Sequence, residues 1–174
     1  YPCLLVSALY PPLGRTLLVS HVDDTIEYDG RDYTLATHRW GDGTVDPRGV
    51  VHLDRFRLDG TVPAWTFALG DALLEKRVWM EHGANTTYVQ YGLLRARAPV
   101  TLYAQTFVTH RDHHAPTRAG NWQMDVSAMD DGLRVDAYDG AMPIFLRSAD
   151  AAATPVHTWY RDYALPVETD RGLP

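Results

Sequence analysis

At 174 residues, with 45% hydrophobic and 22% charged residues, the chain is long enough to bury a real core and too apolar to stay disordered. A formal net charge of −6 without a basic run argues against nucleic acid as a partner. No apolar run approaches the ~20 residues of a membrane helix, and Cys3, the sole cysteine, leaves no intrachain disulfide to form.

Short apolar or alternating runs recur along the chain, separated by Gly, Pro and Asp-Gly, which is the punctuation of a β protein. In order they are CLLVSAL (3–9), TLLVSHV (16–22), DTIEY (24–28), RDYTLAT (31–37), VVHLDRFRLD (50–59), AWTFAL (64–69) and LLEKRVWME (73–81). TTYVQYGLL (86–94), VTLYAQTFVT (100–109), NWQMDVSAM (121–129), LRVDAYD (133–139), PIFLRSA (143–149) and HTWYRDYAL (157–165) follow. Asp29-Gly30, Gly70-Asp71 and Asp131-Gly132 are turn signals, the first a strong two-residue hairpin signal. The best helix candidate, DALLEKRVWM, is flanked by β-branched and aromatic residues and reads as strand. ADAAATP (149–155) reads as a loop. About a dozen strands in one domain predict an all-β fold, a large antiparallel two-sheet sandwich spanning 1–174.

Alternation also sorts faces. On 100–108, Val100, Leu102, Ala104, Thr106 and Val108 share one face, and Thr101, Tyr103, Gln105 and Phe107 the other. The second face is amphipathic and aromatic, as expected of a surface half-covered or adapted to a polar, ring-shaped ligand.

VTHRDHHAPTR (108–118) holds three histidines, His110, His113 and His114. Three ligands with an open position would make a catalytic zinc site. However, Pro116 disfavours a helix here, His113 points away from the other two on a strand, and no Glu is near. A polar loop at a strand end is the preferred reading, with no metal assigned. Glycoside hydrolysis needs two flanking carboxylates, yet the chain has only Glu27, Glu75, Glu81 and Glu168, and most aspartates sit in turn contexts. Glu81 with His82, or Asp112 with His113, are the remaining acid–base pairs. No phosphate loop, nucleophile elbow or cofactor motif is present. Five Trp and ten Tyr are many for this length. HRWGDG (38–43), PAWTF (63–67) and HTWYRDY (157–163) mix aromatic faces, which stack on sugars, with Arg, Asp and His, which bond hydroxyls. They favour a carbohydrate context, although Trp and Tyr also fill sandwich cores.

Several stretches, in collinear order, resemble one family: YPCLLVSAL, PPLGRTLLVSHVDDTIEYDGRDYTLATHRW, GTVDPRGVVHLDRFRLDGTVPAWTF, LLEKRVWMEHGANTTYVQYGL, RDHHAPTR and WYRDYALPVETDRGLP. They are similar to the N-terminal domain of archaeal- and bacterial-type glycogen debranching enzymes, the amylo-alpha-1,6-glucosidase family. PPLGR, LEKR with the following HG-N-T, and R-D-x-H-A are the distinctive elements. Tyr1-Pro2-Cys3 departs from the family's Tyr-His-Gly, and His113 stands where an aromatic is more common.

The resemblance implies a mutarotase-like supersandwich ahead of an (α/α)6 toroid that carries the catalytic acid and base. The opening without Met and the abrupt end at RGLP fit a segment cut from a longer protein. It further implies a non-catalytic, cytoplasmic domain without cofactor or membrane association. Its partners would be the enzyme's own catalytic domain and an α-glucan, within a parent that hydrolyses α-1,6 branches. The candidate substrate-binding or docking residues are Arg39, Trp40, Trp65, His82, Arg111, Asp112 and His114. The alternatives are a free-standing carbohydrate-binding module, a mutarotase-like epimerase using His82 with Glu81 or His114 with Asp112, and a zinc hydrolase on the histidine cluster.

Overall fold

A computed structural model describes residues 3–11, 13–115, 117 and 120–172. Tyr1 and Pro2 of the departing N-terminal motif, Pro116 and Arg118 of the histidine loop, and the final Leu173-Pro174 lie outside the described residues. The strands are β1 (Leu5–Tyr10), β2 (Leu13–Tyr28), β3 (Arg31–Thr34), β4 (Thr37–Arg39), β5 (Val45–Arg48), β6 (Leu53–Asp59) and β7 (Val62–Leu69). They continue as β8 (Ala72–Met80), β9 (Thr87–Arg95), β10 (Val100–Asp112), β11 (Asp125–Met129), β12 (Gly132–Asp136) and β13 (Ile144–Arg147). A 3-10 turn (Gly49–His52) precedes β6, and one short helix, α1 (Pro166–Asp170), closes the described chain.

All described pairings between these strands are antiparallel. β2 is the spine of the first sheet: β10 runs along one edge, and β1 and β3 share the other. β6-β7-β8-β9 form a meander, β11-β12-β13 a three-stranded sheet, and β4-β5 a hairpin. Two apolar clusters join the layers. Ile26 and Tyr28 of β2 pack with Phe67, Leu69, Ala72 and Leu74 of the meander and with Leu35. Leu18 and Val19 pack with Val135 and Ile144. The architecture is all-β and consistent with the expected sandwich, the first sheet packing on the meander and on the three-stranded sheet.

The alternation of β2 decides what each face carries. Asp24, Ile26 and Tyr28 are buried on one face, while Asp23, Thr25 and Glu27 lie on the other. β10 repeats the division: Leu102 pairs with Ile26 and Ala104 with Asp24, whereas Gln105 pairs with Asp23 and Phe107 with His21. The Asp29-Gly30 turn has φ of +50° and +70°, the left-handed pair that a two-residue hairpin requires.

A buried carboxylate sits among these inward residues. Asp24, 3% exposed, accepts hydrogen bonds from Lys76 Nζ of β8 and Tyr91 Oη of β9. Burial and the adjacent carboxylate hold the Tyr91 phenol well above its ordinary pKa, so it acts as a donor. Two further contacts fix connections. Tyr28 Oη donates to Asp71 Oδ1 at 2.6 Å, tying the β7–β8 turn to the first sheet. Gly49 has room for no side chain: a Cβ there would lie 2.1 Å from the Leu35 carbonyl carbon.

Several segments differ from the sequence expectation, among them the start of VVHLDRFRLD, a 3-10 turn, and the start of NWQMDVSAM, which is not strand. TLLVSHV and DTIEY are one strand, because no Gly, Pro or Asn interrupts Val22-Asp23-Asp24 and both aspartates find partners within an extended chain. β4 and β5 are too short to show an alternating pattern. HTWYRDYAL forms no strand: Asp162 takes a φ of +65°, which breaks extension, and a single bridge joins Tyr163 to Trp40.

Removing the carboxylate in Asp24→Ala strands the Lys76 ammonium between the sheets. The expected loss is about 3–5 kcal/mol of unfolding free energy in urea titration, against less than about 1 kcal/mol if the contact were a solvated surface pair. Gly49→Ala is expected to lower Tm by several degrees, because its Cβ collides with backbone; an unchanged melting curve would contradict the packing at Leu35.

Candidate functional site

The outward face of β2 and β10 is not a bare solvated surface. His21 and Asp23 of β2 lie beside Gln105 and Phe107 of β10, and His38 and Trp40 reach the same place from β4 and its bridge. Residues 160–163 cover the group. Tyr163 stacks on Trp40 with ring centres 4.8 Å apart and planes 24° apart. Its ring also meets His38 at 5.2 Å and His21 at 5.8 Å. Tyr160 Oη accepts from Gln105 Nε2 at 3.2 Å, and its ring meets Phe107 at 4.8 Å. Backbone bonds seat this strap: Gly41 N donates to Asp162 O at 2.7 Å and Ala164 N to Arg39 O at 2.8 Å.

The polar centre is a carboxylate between two imidazoles. Asp23 Oδ2 lies 2.7 Å from His38 Nε2, and Asp23 Oδ1 lies 3.6 Å from His21 Nε2. His21 stacks on Phe107 at 4.3 Å. Its Nε2 is buried without a hydrogen-bond partner. Burial, opposed by the Asp23 charge, draws the His21 pKa below its ordinary value, so the ring is neutral near pH 7. Tyr163 Oη is likewise buried and unpartnered, and burial with the nearby Asp23 pushes its pKa up to about 12.

Next to this centre a surface hollow opens, lined by Arg39, Trp40, Gly41, Tyr163, Leu165 and Asp170 among others. Trp40 is held from behind, its Nε1 donating to Asp46 O at 2.7 Å. Gly43 in the β4–β5 turn has φ +86°, and Asp42 Oδ1 accepts from Thr44 N at 2.8 Å. The turn is therefore built by short-range hydrogen bonding.

Of the residues singled out from sequence, Arg39 and Trp40 lie at this hollow. The others are elsewhere. Trp65 is on β7, packed against the core, 5.5 Å from Phe56. His82 is exposed in the β8–β9 turn, where Glu81 accepts from Tyr88 Oη at 3.0 Å. Arg111 and Asp112 shape their own turn: Arg111 Nη1 donates to the carbonyl of Ala115, and Asp112 Oδ1 accepts from His114 N at 2.8 Å. The His110–His114 run does not converge. His110 packs edge-on against Tyr138 at 5.0 Å, while the rings of His113 and His114 lie 3.7 Å apart.

The residues missed by sequence reasoning are His21, Asp23 and His38. A signal was present, since His21 and Asp23 are two apart on one strand and so share a face. HRWGDG and WYRDY, two of the three mixed aromatic segments, do meet in space.

The family model described as glycogen debranching enzyme N terminal matches residues 1–174, and the chain belongs to that family. No curated protein and no solved structure matches.

The strap makes a separable prediction. Tyr163→Phe deletes only an unpartnered hydroxyl and is expected to leave urea stability within about 1 kcal/mol of the parent. Tyr163→Ala removes the stack on Trp40 and is expected to speed limited proteolysis between residues 150 and 165 several-fold. Equal cleavage rates for parent and Tyr163→Ala would show that the stack does not hold the strap.

Proposed function

We propose that this member of the glycogen debranching enzyme N-terminal family contributes one wall of an α-glucan site and packs on the catalytic part of the same enzyme. The α-1,6 branch chemistry is assigned to that other part. A two-carboxylate mechanism needs a pair of Asp or Glu side chains across an open cleft. In the candidate site the one central carboxylate, Asp23, lies between two histidines under the strap.

The observation that carries the glucan reading is the hollow at Trp40 and Tyr163. It combines stacked aromatic rings with a charged rim, Arg39 and Asp170, in one concave surface. Pyranose rings present apolar C–H faces to aromatics and hydroxyls to such polar groups. Packing on a further domain is supported by the edge of the meander. There β6 leaves Phe56 and Leu58 more than half exposed, as the 3-10 turn before it leaves Val50 and Val51, apolar exposure of a kind that marks interaction surfaces. A cytoplasmic setting accompanies this reading. Among the described residues no helix is long and apolar enough to cross a membrane.

The test is Trp40→Ala in the complete debranching enzyme. KM for a branched maltooligosaccharide is expected to rise about 5- to 30-fold, the 1–2 kcal/mol of a lost stacking contact, with kcat changed less. An unchanged KM would remove the hollow from the substrate path. Strong retardation of the isolated chain in a glycogen affinity gel would instead indicate an autonomous binding module.

A further inference from the structure

Asp23 and the two imidazoles beside it do more than one hydrogen bond accounts for. We infer that His21, Asp23 and His38 bind one divalent transition-metal ion of the zinc class, which clamps β4 and the 160–163 strap to β2. Nothing in this inference depends on the neighbouring hollow taking a glucan.

The donor chemistry comes first. Two imidazole nitrogens and one carboxylate oxygen form a set suited to borderline divalent ions such as Zn²⁺, with a position left for a further ligand. Geometry comes second. One ligand atom from each residue lies within 4.8 Å of the other two. The His38 and His21 nitrogens lie 2.7 and 3.6 Å from the two different carboxylate oxygens of Asp23, either side of the roughly 3.3 Å expected between ligands held about 2.05 Å from a tetrahedral centre. Closing the imidazole nitrogens on a shared ion needs shifts of about an ångström, within reach of side-chain rotation.

The orphaned nitrogen is the third observation. A metal-free His–Asp–His arrangement explains His38, which has a 2.7 Å partner. It leaves His21 Nε2 buried with no hydrogen bond, an uncompensated desolvation that a coordinate bond would offset. Tyr163 Oη, the other orphan of the group, packs over both imidazoles and would meet a water or hydroxyl in the remaining position. Lys76, nearby on the opposite face of β2, is engaged by Asp24.

The ligands also suit a clamp. His21 and Asp23 come from the central strand, His38 from a three-residue strand whose other two residues are exposed. An ion joining them would fix β4, and through the Trp40–Tyr163 bridge the strap as well.

The experiment uses the whole chain, stripped with chelator and titrated with ZnCl₂ in a calorimeter, with Co²⁺ absorption as the spectroscopic readout. The expected result is one equivalent of Zn²⁺, a Tm that climbs with free metal, and visible Co²⁺ bands of a four-coordinate site. Asp23→Asn and His38→Gln should each weaken binding at least tenfold, and His114→Gln, in the other histidine cluster, should not. Circular dichroism checks folding; if Asp23→Asn does not fold, His38→Gln decides. No zinc uptake would overturn the inference. Uptake that survives both ligand variants, or is lost in His114→Gln, would overturn it as well.

Discussion

The buried carboxylate of Asp24 is the constraint on which the rest of the structure depends. It lies at 3% exposure between two sheets, with Lys76 and Tyr91 brought to it from neighbouring strands of the meander. Shifted one residue along β2, Asp23 would take the inward place, but Ile26 and Tyr28 would leave the core for Thr25 and Glu27, so the carboxylate is locked in together with them. This lock therefore sets the register of β2. Because side chains alternate, it also sets what lies outside. With Asp24 inward, Asp23 and His21 are outward, opposite Gln105 and Phe107. Two adjacent aspartates thus serve opposite faces of one sheet, one in the core and one in the candidate site.

The site is assembled from parts far apart in sequence, which governs how much of it was legible. The strands of the meander, the Asp29-Gly30 hairpin and the aromatic second face of β10 follow from local alternation and turn chemistry, and the structure has them. The convergence of Trp40 with Tyr163 was not legible. It depends on a chain reversal of more than a hundred residues and on a strap that is irregular in itself. The histidine run 110–114 drew attention because its members are neighbours in sequence. In space, turn formation by Arg111 and Asp112 separates His110 from the other two. His21 and His38, seventeen positions apart, are the pair that meets, with ring centres 5.3 Å apart.

Family membership and geometry bear on different questions. The family match over the whole chain places it among the N-terminal domains of glycogen debranching enzymes. The geometry says which surface has the character of a working one. The outward face of β2 and β10 carries two buried unpartnered atoms, His21 Nε2 and Tyr163 Oη, with the stacked aromatics and the adjoining hollow. The meander's edge carries exposed apolar residues of the kind that a neighbouring domain covers. On the proposed reading, the edge would dock on the catalytic part and the polar, aromatic face would line the glucan cleft, with the acid and base supplied from elsewhere.

The central claim is that the Trp40–Tyr163 face meets α-glucan. The most direct measurement is hydrogen–deuterium exchange on the complete enzyme, with and without a bound branched maltooligosaccharide. The account predicts slowed exchange at residues 38–43 and 162–165, with β11–β13 unchanged. Protection confined to other segments, with 38–43 and 162–165 exchanging at their free rates, would contradict it.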